Sequence, residues 1–402
     1  MITAPPSYNP MALTSAAAFS AGILTAFTIS VGGEMPVGEI VLAAVFCWIL
    51  LYGIVTGSLP PGVPRTRLFG VFLICQVVAF AAYVFSDLYR GSSPHDMGRG
   101  WARMAFLALD IVSVAYLFGC SQVNLLVFLF GKLAGDLLHS LMFGALFDDM
   151  WKFGVGVPIT FLAFFVASLF GRAVFIATAF AMTALHLLLD YRSFAIACFF
   201  AGTATLITLF PRRVRTWLIF PAVLLAASAI GVYAVEHRDA IKRSTRSNVE
   251  RKAMMIAAAR GFYSSPLIGQ GSWFSNSDVM SNFMVIRGEE AKDAEVGGFS
   301  DVKDGVQPVA IHSQILVALA EGGIFGATFF IAFGIALVAA MFQLTFTRES
   351  SRFTGFYFFI LFCSFLNWLL SPFSGAHRVV IAVACGLLFL LQRARPPLQI
   401  PT

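Results

Sequence analysis

Apolar runs long enough to cross a bilayer recur along this chain from near its first residues almost to its last, and they leave few folds open. A helix needs roughly 18 to 25 such residues to traverse about 30 Å of hydrocarbon. About twelve runs reach or approach that length, at 11–31, 37–57, 68–86, 102–119, 121–144, 153–171, 172–189, 193–210, 216–235, 324–344, 353–371 and 379–393. With 58% hydrophobic and only 12% charged residues over 402 positions, the composition excludes an ordinary water-soluble globule. The expectation is an all-α integral membrane protein whose main surroundings are the lipid bilayer. The first run lacks a basic leader and a small-residue cleavage site, so it reads as a retained span rather than a signal peptide.

Basic residues in the short connections give an orientation. With the N-terminus cytoplasmic, the inside segments carry Arg65, Arg67, Arg172, Arg212, Arg213, Arg215, Arg348, Arg352, Arg393 and Arg395, with almost no acid among them. The opposite loops mix Glu34, Glu39, Asp87, Asp96, Asp148, Asp149 and Asp190 with their basic residues. Both termini are then cytoplasmic, and the net charge of +6 is a topology signal. Nothing in it points to nucleic acid. The cysteines Cys47, Cys75, Cys120, Cys198, Cys363 and Cys385 fall in or at the edge of apolar runs with no CxxC spacing, so neither a disulfide framework nor a metal site is indicated.

One long polar segment, 236–309, interrupts the pattern. It divides the chain into spans one to nine over 1–235, an external loop with an amphipathic helix and a His-bearing helix over 236–323, and the last spans with a cytoplasmic tail over 324–402. In a bacterium this orientation puts the loop on the periplasmic face. Within it, Ser247-Asn248-Val249-Glu250 has the form of a capping box, predicting a helix from Asn248 to about Arg260 with Gly261 as its stop. Arg251, Met255, Ala258 and Phe262 share a stripe of that helix, which suits one lying on the membrane or on the bundle. Arg260 lies about 180° round the wheel from Arg251 at 100° per residue, so the two cannot face one ligand. By spacing alone, an interfacial helix extending its arginines to lipid headgroups fits equally well.

After the loop comes IHSQILVALAEGGIFGATFF, from Ile311. A continuous helix from 311 to 343 would be about 50 Å long at 1.5 Å per residue, too long for one untilted span. The expectation is a short surface or re-entrant helix carrying His312, a break at Gly322-Gly323, then the true span.

These segments resemble a known family. An arginine, an apolar helical stretch and Pro266-Leu267-Ile268-Gly269-x-Gly271, followed by a His-led helix ending in Glu321-Gly322-Gly323-Ile324-x-Gly326, is similar to the O-antigen ligase and polymerase superfamily of bacterial membrane glycosyltransferases. LLLDYRSFAIA, with Arg192 between the seventh and eighth runs, is similar to the family's arginine-bearing junction, though the family more often has Ser-Arg-Gly where this chain has Tyr-Arg-Ser. The resemblance implies a GT-C-like membrane fold and transfer, at the periplasmic face of the inner membrane, of a glycan from undecaprenyl diphosphate. The acceptor is a sugar hydroxyl, on lipid A-core for a ligase or on a growing surface or exopolysaccharide chain for a polymerase.

That chemistry assigns roles. The diphosphate is both handle and leaving group, and the planar fork of arginine suits phosphate oxygens, so Arg251 and Arg192 are the expected ligands. An acceptor hydroxyl must lose a proton, and His312 is the expected base. Arg260, His377, Arg378, Lys132 and Asp136 are further candidates for lining the pocket. Each has a plainer alternative. An arginine at a span end is commonly a headgroup anchor, and His377 and Arg378 read as pocket or anchor residues. Lys132, Asp136 and His139 lie at i, i+4 and i+7 on one face; a bundle-stabilising Lys132–Asp136 ion pair is the plain reading, an acceptor cavity the bolder one.

A lipid-linked glycan flippase or other polytopic transporter is the alternative from another class. Such proteins tend to be built from two related halves with matching broken helices, a repeat not evident here. A metal-dependent transferase would need acidic ligands in an external loop. GGEMPVGE offers only Glu34 and Glu39, and adjacent Asp148 and Asp149 make a poor cage, so the expected reaction uses no metal and no cofactor.

Overall fold

The structure, a computed structural model, describes residues 10–30, 34–121, 123–143, 151–189, 191–217, 242–274, 283, 285–286, 311–346 and 351–393. Helices dominate: α1 (Pro10–Leu24), α2 (Gly38–Thr56), α3 (Arg67–Arg90), α4 (Pro94–Cys120), α5 (Val123–Phe143), α6 (Gly156–Leu169, preceded by a π turn), α7 (Arg172–Leu188) and α8 (Arg192–Ile207). Four more in the bundle, α10 (Gln314–Gly326), α11 (Thr328–Phe346), α12 (Thr354–Leu370) and α13 (Gly375–Arg393), follow α9 (Lys242–Ser264). Among the described residues, 6 helices are long and apolar enough to cross a membrane, and shorter apolar helices accompany them. The ninth expected run, 216–235, lies almost wholly outside the described residues, as do Asp148, Asp149, Asp190 and most of the polar loop.

Local chemistry sets the boundaries. Thr66 caps α3, its hydroxyl accepting from Phe69 N at 3.3 Å, and Gly91 ends the helix at φ 63. Ser93 caps α4 and Pro94 takes the first turn, where its missing N–H costs nothing. The first apolar run departs from expectation: α1 stops at Leu24, and Thr28–Ser30 pairs antiparallel with Glu34–Pro36, Ile29 opposite Met35. The short Thr-Ile-Ser stretch favours strand over helix at that point.

Packing follows membrane rules. Gly131 and Gly135 on α5 and Gly22 on α1 let the two backbones approach closely; a Cβ at any of them would run into the other helix's main chain. Aromatic edges fill the rest, with Phe72 against Phe329, Phe333 and Phe389, and Phe359 against Phe161, Phe164 and Phe194.

The alternating chain direction gathers two sets of helix ends. At one end lie the hairpin, the starts of α2, α4 and α13, the end of α3, and α10, as the contacts between Trp101 and Asp87, Arg378 and Glu39, and Ser86 and Glu321 require. The opposite end collects Arg67 at the start of α3 and Arg215 beyond α8, whose guanidinium reaches Thr345 O at the end of α11.

Candidate active site

The Pro-Leu-Ile-Gly-x-Gly and Glu-Gly-Gly-Ile-x-Gly segments interlock. Gln270 N donates to Ala320 O at 2.8 Å, Gly271 N to Glu321 O at 3.0 Å, and Ile324 N to Pro266 O at 2.8 Å. Gly269, Gly271 and Gly323 all take positive φ, at 85°, 82° and 64°. A Cβ on Gly269 would collide with the Glu321 carbonyl, and one on Gly323 with that of Leu267. The glycine break expected in α10 is therefore present at Gly323 and is what admits the other loop. The end of α3 ties both in place: Ser86 Oγ donates to Glu321 O at 2.8 Å and accepts from Gly271 N at 3.0 Å, while Arg90 Nε donates to Gly269 O at 3.0 Å.

Beneath this stitch lies buried charge. Arg103 and Glu321 form an ion pair with 6% and 2% exposure, and the second Glu321 oxygen accepts from Trp273 N at 3.0 Å. Rings of Tyr83, Trp273 and Phe373 surround the guanidinium. Buried Asp87 accepts from Ser92 Oγ, Trp101 Nε1, Ser272 N and Ser272 Oγ at 2.6–2.9 Å. Charges taken out of water need this degree of pairing.

Helix α9 begins at Lys242, so the expected capping box falls inside it, and Gly261 is helical. The helix ends instead against Pro266, which disfavours helical backbone in the residue before it, and Gln270 Nε2 covers Gly261 O at 2.8 Å. Its buried stripe is Ala253, Met254, Ala257, Ala258 and Gly261, shifted from the one expected because α10 supplies the apolar partners Val317 and Ala320. Arg251 and Arg260 are both exposed and flank that stripe on opposite sides, as the wheel requires.

His312 does not sit in a helix. It precedes Ser313, which caps α10 and accepts from Leu316 N at 3.4 Å, so the ring is half-buried at the helix entrance. Burial, and then the charge of Arg251, push the imidazole below its ordinary pKa of 6.5, so the ring is neutral at pH 7. His377 lies within electrostatic reach of His312, and its Nδ1 is 2.7 Å from Ser374 Oγ. Arg251 and His377 thus each lie within electrostatic reach of His312. A neutral imidazole beside a guanidinium can accept a proton next to a bound anion.

The remaining candidates have surroundings of their own. Arg192 opens α8, half-buried, beside the Tyr191 and Phe194 rings that pack on His186. Arg378 is buried and holds Glu39 through two hydrogen bonds of 3.0 and 2.7 Å, so it is neither a headgroup anchor nor an open pocket residue. Lys132 pairs with Asp136 at 3.0 and 3.1 Å, the plain reading, and also borders an apolar cavity with Phe128, Phe161, Phe194 and Asn367. His139 packs on Phe27 and Phe143.

The sequence reading overlooked Arg103, Glu321, Asp87, Trp273 and the Glu39 partner of Arg378. One signal was available: Arg103 lies inside an apolar run, where a charge seldom faces lipid. Among the described residues, no group of three or more His, Cys, Asp or Glu side chains is arranged to hold a metal ion. The family described as O-antigen ligase matches residues 155–331, from the start of α6 into α11, a stretch that contains Arg192, Arg251, His312 and both interlocking glycine segments. No curated protein matches the chain.

Proposed function

We propose that this chain, a member of the O-antigen ligase and polymerase superfamily, transfers an undecaprenyl-diphosphate-linked glycan to a sugar hydroxyl at the periplasmic face of the bacterial inner membrane. The observation that carries the reading is the half-buried His312 imidazole at the entrance of α10, within electrostatic reach of Arg251. The acceptor oxygen attacks the anomeric carbon and its proton passes to His312. The bond from that carbon to the diphosphate breaks, and its electron pair goes to the phosphate oxygen, whose charge meets Arg251 and Arg192. His377 borders the acceptor side, and the apolar helices of 1–235 and 324–402 receive the polyprenyl tail. The chemistry runs without a metal.

Orientation enters through charge: the arginine-rich end is the cytoplasmic one, with both termini, and the interlocked end faces the periplasm. Reporter fusions after Arg213 are expected to read cytoplasmic and those near Asp278 periplasmic.

The test is transfer itself. Purified protein in nanodiscs, supplied with lipid-linked glycan and a saccharide acceptor, is expected to form a glycosidic bond with or without EDTA. Movement of the lipid-linked glycan across the bilayer with no bond formed would overturn the reading in favour of a flippase.

A further inference from the structure

We propose a phosphate-binding site at Arg99, distinct from Arg251, formed by one face of α4 and the Trp273 indole. Arg99 and Arg103 are one helical turn apart, and their guanidinium carbons lie 4.2 and 5.1 Å from the Trp273 ring centroid. Their electrostatic positions differ. Arg103 is neutralised by Glu321, Asp87 has its oxygens taken by the Ser92, Trp101 and Ser272 donors, and Asp96, three residues before Arg99, accepts from Ser93 Oγ and lies 3.7 Å from His95 Nδ1. Arg99 has no ion pair or hydrogen bond among the described residues.

Three buried N–H groups around the Trp273 ring have no acceptor among the described residues: Arg99 Nε, Arg103 Nε and Trp273 Nε1. Buried donors in folded proteins are nearly always satisfied, so three around one indole, beside an arginine with no counter-charge in contact among the described residues, point to an anionic group rich in acceptors. Phosphate has that character, and the arginine fork matches its oxygens. Half-buried Arg99 leaves the site open on one side. Trp273 itself is held at φ 63, the only non-glycine positive φ among the described residues, by its N–H on Glu321 and by Ser272 on Asp87. Strained backbone persists where its surroundings over-determine it, as around ligand sites.

This site serves a second phosphate. On the proposed transfer reading, the diphosphate belongs to Arg251 and Arg192, so Arg99 takes a phosphate carried by the acceptor saccharide or by a phospholipid headgroup.

Binding is measured without donor or turnover, so the outcome is independent of whether transfer occurs. Wild type, Arg99→Gln and Arg99→Lys in phosphatidylcholine nanodiscs are titrated calorimetrically with glucose 6-phosphate, with short-chain phosphatidic acid, and with glucose as the uncharged control. Wild type is expected to bind a phosphate probe and not glucose. Arg99→Gln is expected to weaken that binding by about tenfold or more and Arg99→Lys by less, with thermal midpoints unchanged. Preference for the sugar phosphate assigns the acceptor, and preference for phosphatidic acid assigns the headgroup. Equal binding by wild type and Arg99→Gln, or loss in Arg251→Ala instead, would overturn the proposal.

Discussion

The arginines at the two ends of the bundle live in opposite environments. At one end Arg65, Arg67, Arg212, Arg213 and Arg352 are exposed. At the other, Arg103 and Arg378 are buried against Glu321 and Glu39, and Arg99 is half-buried on an indole. The first set keeps its hydration, costs little, and works by number and sidedness. The second has lost water and holds its place only through particular partners, so each member fixes local geometry. Arg251 is intermediate: exposed, yet close enough to His312 to act on its proton affinity.

Glu321→Ala carries the largest expected effect. That change strands Arg103 without its counter-charge, and removing one partner of a buried pair costs about 3–5 kcal/mol. The expected outcome is a large drop in thermal midpoint or failure to accumulate folded protein. Next comes the Arg251 pair of tests. Arg251→Ala is expected to lower the transfer rate by about 10² to 10³, with Arg251→Lys in between, whereas Arg260→Ala on the far flank of α9 costs much less. Equal losses at the two positions would show that both guanidiniums reach the donor. Gly323→Ala, which forces a Cβ against the Leu267 carbonyl at positive φ, is expected to cost roughly 1–3 kcal/mol of stability. Smallest of all, Arg212→Gln at the exposed end is expected to change the rate by no more than about twofold.

Much of this architecture was legible because a bilayer imposes a length on every span. The apolar runs located most helices, and arginine asymmetry separated the two bundle ends. The Gly322-Gly323 break could be seen, but its reason could not, since it lies in a fit with the PLIGQG segment some fifty residues away. The Arg103–Glu321 and Glu39–Arg378 pairs were hidden for the same reason: long-range partners leave no local periodicity. The buried stripe of α9 was misplaced because the wheel was centred on Arg251, whereas burial is decided by what α10 presents. His312 was found by residue type and motif, but its place outside the helix follows from Ser313 taking the cap.

If His312 takes the acceptor's proton while Arg251 serves the donor, donor binding and turnover measured separately for wild type and His312→Ala will come apart. His312→Ala is expected to lose about 10² to 10⁴ in rate with donor affinity retained. In wild type the rate is expected to hold below pH 6.5 and to fall only as the lowered pKa of His312 is crossed. Removing the Arg251 charge lets that pKa rise, so the acid limb of the residual activity of Arg251→Gln should move to higher pH. Full turnover in His312→Ala, or loss of donor binding together with turnover, would contradict the assignment.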